Sequence, residues 1–151
     1  MAELDTQRLR RYLLTLRENT QDIRALLAEH TDEQLLADRY LLKALKYCLI
    51  ECAEAMADTL QHYLARKKGM AAESYLQLID RSVEAAFMDP ALLGRLKFFF
   101  KFRNMLVHRY WEIDDQRLLE ETRNGLNDFD LFMQAVTAHL SASVTPSHEM
   151  G

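Results

Sequence analysis

YLLKALKYCLIECAEAMADTLQHYL, residues 40–64, is the stretch whose reading decides the fold class. Leu42, Leu45, Leu49, Cys52, Met56 and Leu60 recur in it at three- and four-residue spacing, as a helix with one buried stripe requires. Just upstream, Thr31-Asp32-Glu33-Gln34 has the form of a capping box, which would open this helix. Downstream, Arg66-Lys67-Lys68 puts positive charge in a last turn and Gly69 follows, a strong stop signal. The chain has only four Gly and two Pro, and that scarcity favours long helices over strands and turns.

The same signals continue outward. A first helix is predicted from about Ala2 to Ala28, with Leu9, Leu13, Leu16, Ile23 and Leu27 near one side. Ser74 to Gln77 forms a second capping box and opens a short helix to about Phe87. Asp89-Pro90 supplies an N-cap followed by Pro at the first helical position, and the fourth helix runs to about Trp111. Glu112 to Asp115 reads as a turn with Asp114 as cap, and a fifth helix follows from Gln116 to about His139, weakened in its middle by Gly125. The expected architecture is all-α, an antiparallel bundle of about five helices, dimeric, in a single domain over residues 1–140 with a flexible tail at 141–151.

Bulk composition agrees. With 151 residues, 49% hydrophobic and 28% charged, the chain is long enough for one hydrophobic core and is globular rather than disordered. No apolar run approaches the roughly 20 residues of a membrane span, and the polar start Met1-Ala2-Glu3-Leu4-Asp5 is no signal peptide, so a cytoplasmic protein without membrane partners is expected. Cys48 and Cys52 lie four apart in the long helix with Leu49 and Ile50 between them and no ligand cluster beside them; they read as buried core thiols, and no metal site is expected.

The net charge of −4 hides an asymmetry. Between Pro90 and Trp111 stand Arg95, Lys97, Lys101, Arg103 and Arg109, with no acidic residue among them. A nonspecific nucleic-acid binder is usually basic throughout, whereas a local positive patch on an acidic body suits a phosphate-bearing ligand at one place. Within that patch, Arg103-Asn104-Met105-Leu106-Val107-His108-Arg109-Tyr110 concentrates an Arg that can neutralise phosphate, a His that moves protons near neutral pH and a Tyr hydroxyl.

On a wheel of ~100° per residue with Arg103 at zero, Met105, Phe98, Phe102, Leu106 and Phe99 fall between roughly 200° and 320°, the expected core face. Asn104 and His108 fall near roughly 100° and 140°, beside Lys97 and Lys101, and Arg103 and Tyr110 share the remaining edge. A second apolar stripe, Phe100, Val107 and Trp111, interrupts the polar side at roughly 40° to 80°. It is expected to pack against a second copy of the chain, bringing two Arg/His patches to one cleft; the competing reading has the first or fifth helix cover it.

At Arg103, Asn104, His108 and Tyr110 the chain resembles the HEPN superfamily, and within it the HepT-like toxins. Their motif, Arg-x-x-x-x-His-x-Tyr, is matched at every position by R-N-M-L-V-H-R-Y, in a similarity reaching from about Leu35 to Leu140. The resemblance implies a metal-independent endoribonuclease, working without cofactor in a homodimer cleft, as the toxin of a toxin–antitoxin pair. It implies Arg103 and His108 as catalytic residues with Asn104 in support, and Tyr110 as acceptor of AMP from an ATP-using nucleotidyltransferase antitoxin. Lys97, Lys101 and Arg109 would bind the RNA. The chain has no Gly-Ser followed by paired Asp of its own, so AMP transfer must come from another protein. The alternative is a non-catalytic nucleotide- or substrate-binding partner of a nucleotidyltransferase.

Overall fold

The structure is a computed structural model that describes residues 3–149, and side chains as far as residue 142. Met150 and Gly151, the end of the expected tail, lie outside the described residues, as do the side chains from 143 onward, His148 among them. Among the described residues six α-helices carry the fold: α1 Thr6–Glu29, α2 Asp32–Ala37, α3 Arg39–Tyr63, α4 Tyr75–Glu84, α5 Pro90–His108 and α6 Asp115–Glu149. Among the described residues there is no strand. A π-helical turn, Leu64–Lys68, extends α3, and a 3-10 turn, Tyr110–Glu112, follows α5.

The helix expected to start at Thr31 is divided in two at Asp38. Thr31 and Gln34 form the capping box of α2, with Gln34 N–H on the Thr31 hydroxyl at 3.2 Å and Thr31 N–H on Gln34 Oε1 at 2.9 Å. Asp38 then takes an extended backbone conformation and caps α3, its carboxylate accepting from the N–H of Tyr40 at 2.9 Å and of Leu41 at 3.2 Å. Such a cap is worth about 1 kcal/mol. At the other end Gly69 adopts φ 61°, ψ 27°, the left-handed conformation that glycine enters without a Cβ penalty. The remaining starts follow their sequence signals: Ser74 accepts from Gln77 N–H at 3.1 Å, Asp89 from Ala91 N–H at 3.1 Å ahead of Pro90, and Asp114 from Gln116 N–H at 2.9 Å.

The stripe of α3 is the axis of the core: Leu42, Leu45, Leu49, Cys52, Met56 and Leu60 are all buried, and Ala53, Ala55 and Ala57 are buried beside them. Small residues on the other faces of α3 let several helices approach it; α1, α2, α4, α5 and α6 all do. Both thiols are free and buried, and burial pushes Cys52 up to about 12. Gly125 lies under the ring of the fully buried Phe129, where a Cβ would meet the ring at 3.0 Å. Phe129 in turn sets its ring edge-on to Phe99 at 4.8 Å, joining α6 to α5. Helix α6 continues to Glu149, through most of the stretch expected to be a tail.

Candidate functional site

Helix α5 presents the motif, and its rotation differs from the expected one. Phe99, Phe102 and Leu106 are buried as expected, but Phe98 is 72% exposed and Met105 is only half-buried. The buried arc extends instead through Leu92, Leu93, Leu96 and Phe100. The cause is that α5 packs on α3, α4 and α6 together, so its buried side is wide and the short α4 covers the edge that a wheel alone leaves open. Phe100 is therefore not part of a dimer interface: it is fully buried within its own chain, its ring stacked on Tyr75 of α4 at 5.4 Å and 20°. Val107, 38% exposed, and Trp111, 69% exposed, remain at the surface.

Arg103 falls inside this wide arc, and its side chain is only 12% exposed. Its guanidinium carbon stands 4.5 Å from the centroid of the Tyr75 ring, Nη1 donates to Asn104 Oδ1 at 3.2 Å, and Nη2 lies 3.6 Å from Glu54 Oε1 of α3. Its Nε is buried without a hydrogen-bond partner. Asn104 is thus the neighbour that links Arg103 to the polar side. Together with Met105, His108 and Arg109 it lines an open groove of about 290 Å³.

His108 is exposed and closes α5. The helix stops there because Arg109 leaves helical geometry at φ −138°, ψ 43°, while its N–H still donates to Met105 O at 2.8 Å. Tyr110 and Trp111 consequently sit on the 3-10 turn rather than on α5, contrary to the wheel that put Tyr110 on the edge of Arg103. Tyr110 is 64% exposed and meets Trp111 edge-on at 5.4 Å.

The expected RNA-binding cations are placed unequally. Lys97 is engaged by Asp80 of α4 at 2.8 Å, which cancels much of its field. Lys101 is exposed, its ammonium 5.5 Å from the Phe98 ring. Arg109 is exposed and lines the groove, with Glu112 at 4.0 Å. Glu54 and Tyr75 were not visible as site residues in the sequence. Glu51 of α3 lies beside the Tyr47 side chain, and its carboxylate pushes the Tyr47 hydroxyl above the usual tyrosine range. Among the described residues, no three His, Cys, Asp or Glu side chains gather as a group that could hold a metal ion.

The bundle is that of the HEPN proteins. The family model described as ribonuclease HepT-like matches residues 16–136, and the chain belongs to that family. Solved structures agree at the level of fold. The tri-AMPylated Shewanella oneidensis HEPN toxin in complex with its MNT antitoxin superimposes with a TM-score of 0.80 at 20% identity, covering 87% of this chain and 97% of that one. A toxin–antitoxin complex with AMP-PNP gives 0.79 at 19% identity, covering 85% and 97%. YutE of Bacillus subtilis, described as a cytosolic protein of unknown function, gives 0.80 at 15% identity, covering 95% and 96%. No curated protein matches the chain. No helix among the described residues is long and apolar enough to cross a membrane.

Proposed function

We propose that this chain is the toxin of a toxin–antitoxin pair, a metal-independent endoribonuclease of the cytoplasm that a cognate nucleotidyltransferase silences by transferring AMP from ATP to Tyr110. The observation that carries the reading is the Arg103–Asn104–His108 arrangement. A largely covered Arg donates to Asn104 at 3.2 Å, and Asn104 shares with an exposed, helix-terminal His a groove open to solvent.

RNA supplies its own nucleophile, the ribose 2′-hydroxyl. His108 takes its proton as the oxygen attacks the adjacent phosphorus, or protonates the 5′-oxygen as the old P–O bond breaks; two copies of His108 across a homodimer cleft divide these tasks. A 2′,3′-cyclic phosphate and a free 5′-hydroxyl result. Arg103 stabilises the extra negative charge on the phosphoryl oxygens, and Asn104 fixes its aim. Lys101 and Arg109 contribute field for the RNA backbone, and Lys97 contributes less while Asp80 holds it. Val107 and Trp111, both exposed next to the motif, are the residues we assign to the homodimer contact. Tyr110 is exposed on a turn, accessible to a second enzyme. Attack of its hydroxyl on the α-phosphorus of ATP releases pyrophosphate and leaves a phosphodiester anion beside the groove, which repels RNA and competes for the Arg.

The test is RNA cleavage by purified chain whose intact mass shows unmodified Tyr110, in excess EDTA, beside His108→Ala and Arg103→Ala. Cleavage that survives chelation and is lost in both variants supports the reading. No cleavage of total RNA by the unmodified chain overturns it in favour of a non-catalytic nucleotide-binding partner of a nucleotidyltransferase.

A further inference from the structure

The Arg103 guanidinium stands over an aromatic ring. Its guanidinium carbon lies 4.5 Å from the Tyr75 ring centroid, well inside the ~6 Å range over which a ring attracts a cation. The Tyr75 ring also stacks on Phe100, 5.4 Å away and tilted by 20°. Phe100 and Arg103 are one turn apart on α5, so a single ring from α4 spans both. The position of that ring is set by the start of its own helix. Ser74 caps α4 by accepting from Gln77 N–H at 3.1 Å, while Gln77 Oε1 accepts from Glu73 N–H at 2.6 Å, and Tyr75 is the first helical residue.

With Nε buried and the guanidinium carbon over a ring, the atoms of Arg103 left to meet phosphate are Nη1 and Nη2. These are turned to Asn104 and to the half-exposed Glu54. An Arg already held in place loses less rotamer freedom when it meets a phosphoryl group, and keeps its donors aimed while charge builds on the oxygens.

We propose that Tyr75 is a positioning residue for RNA cleavage: its ring holds the Arg103 guanidinium in place, with Nη1 kept on Asn104 at the groove and Nη2 toward Glu54. This rests on the ribonuclease reading above. The phenolic hydroxyl plays no part in it; the electron-rich face of the ring does. Glu54 holds Nη2 in the free protein and yields it to the RNA phosphate.

The experiment is cleavage kinetics of the full chain with Tyr75→Phe, Tyr75→Leu and Tyr75 replaced by pentafluorophenylalanine. Fluorination keeps the ring's shape and its stack on Phe100 but inverts the charge distribution over its face, so the fold is retained while the attraction for a cation is lost. Tyr75→Phe is expected to stay within about twofold of the parent, because the cation-binding face is kept. The fluorinated protein and Tyr75→Leu are expected to lose roughly tenfold or more in kcat, with KM little changed, as a misaimed donor does. In parallel, the Arg103 Nε–Hε NMR signal is expected to shift and sharpen in the fluorinated protein, as the side chain gains motion. A fluorinated protein with parental kcat and an unmoved Arg103 signal overturns the role of Tyr75 alone. Absence of cleavage by the parent overturns the ribonuclease reading and this proposal with it.

Discussion

Glu54 of α3 sets its carboxylate 3.6 Å from Nη2 of Arg103 on α5, so the largely covered cation of the motif carries a counter-ion from a different helix. Glu54 is itself 52% exposed, so solvent screens the pair and its contribution to stability is at most about 1 kcal/mol. In the proposed ribonuclease its charge stands where an RNA phosphate would arrive. Glu54→Gln is expected to leave stability nearly unchanged and to lower the KM for RNA by roughly threefold, most clearly at low salt where charges are least screened. Steady-state kinetics at two salt concentrations read this, and a raised KM would sink it.

Phe100 and Trp111 are expected to separate cleanly in mutagenesis. Phe100 is fully buried, and Phe100→Ala should cost about 3–5 kcal/mol in denaturant unfolding. Trp111 is 69% exposed, and Trp111→Ala should change the stability of the monomer by no more than about 0.5 kcal/mol. The same Trp111 variant is expected to weaken self-association about tenfold or more in sedimentation, as loss of an aromatic anchor does. Unaltered self-association would remove Trp111 from the interface.

His62 ties the start of α1 to α3: its buried Nε2 accepts the Asp5 N–H at 2.9 Å, next to the cap that Asp5 forms with Arg8. An imidazolium has no lone pair to accept that bond. Burial first, and then the nearby Arg66 and Arg8, hold His62 below its ordinary 6.5, with Asp5 opposing them. The unfolded chain therefore takes up a proton before the folded one does. The contribution of His62 to stability is fully present above about pH 6.5 and is lost as the pH falls through its lower folded value. In urea unfolding followed from neutral to mildly acidic pH, His62→Gln, whose amide oxygen still accepts from Asp5, is expected to show a shallower loss than the parent. Parallel curves would count against the linkage.

Ala86 has φ 53°, a left-handed conformation that costs an L-residue with a Cβ roughly 1–2 kcal/mol. It closes α4 in a Schellman arrangement, with Ala86 N–H on Val83 O at 3.0 Å and Phe87 N–H on Ser82 O at 3.3 Å. Ala86→Gly is expected to raise unfolding free energy by about 1 kcal/mol, since glycine enters that region freely. Thermal or denaturant unfolding that shows no gain would mean the strain is relieved elsewhere.

Much of the bundle was legible because its signals are local. The caps at Thr31, Ser74, Asp89 and Asp114 and the stop at Gly69 act on backbone groups within a few residues, and the structure uses all of them. The stripe of α3 is periodic on its own helix and is buried as its spacing implies. The break at Asp38 was missed because the apolar pattern runs straight through it, while one carboxylate caps a new start. Three histidines outside the motif hold parts of the bundle together: His30 donates to Leu26 O at 3.0 Å, His139 to Phe87 O at 2.7 Å, and His62 accepts from Asp5 N–H at 2.9 Å.

By itself, the sequence determined that this chain is helical, where most helices begin, and which side chains are candidates for the proposed chemistry, because periodicity, capping and residue type act over a turn or two of chain. Only the tertiary structure decided how α5 is rotated. Three helices packing on it at once widened its buried arc, drew Phe100 into the core, left Phe98 outside, and set Arg103 between Glu54 and Tyr75. A helical wheel places a residue relative to its own axis. Which neighbour covers each side of that axis depends on contacts between residues far apart in the chain, and those contacts give Arg103 its counter-ion and the ring it rests on.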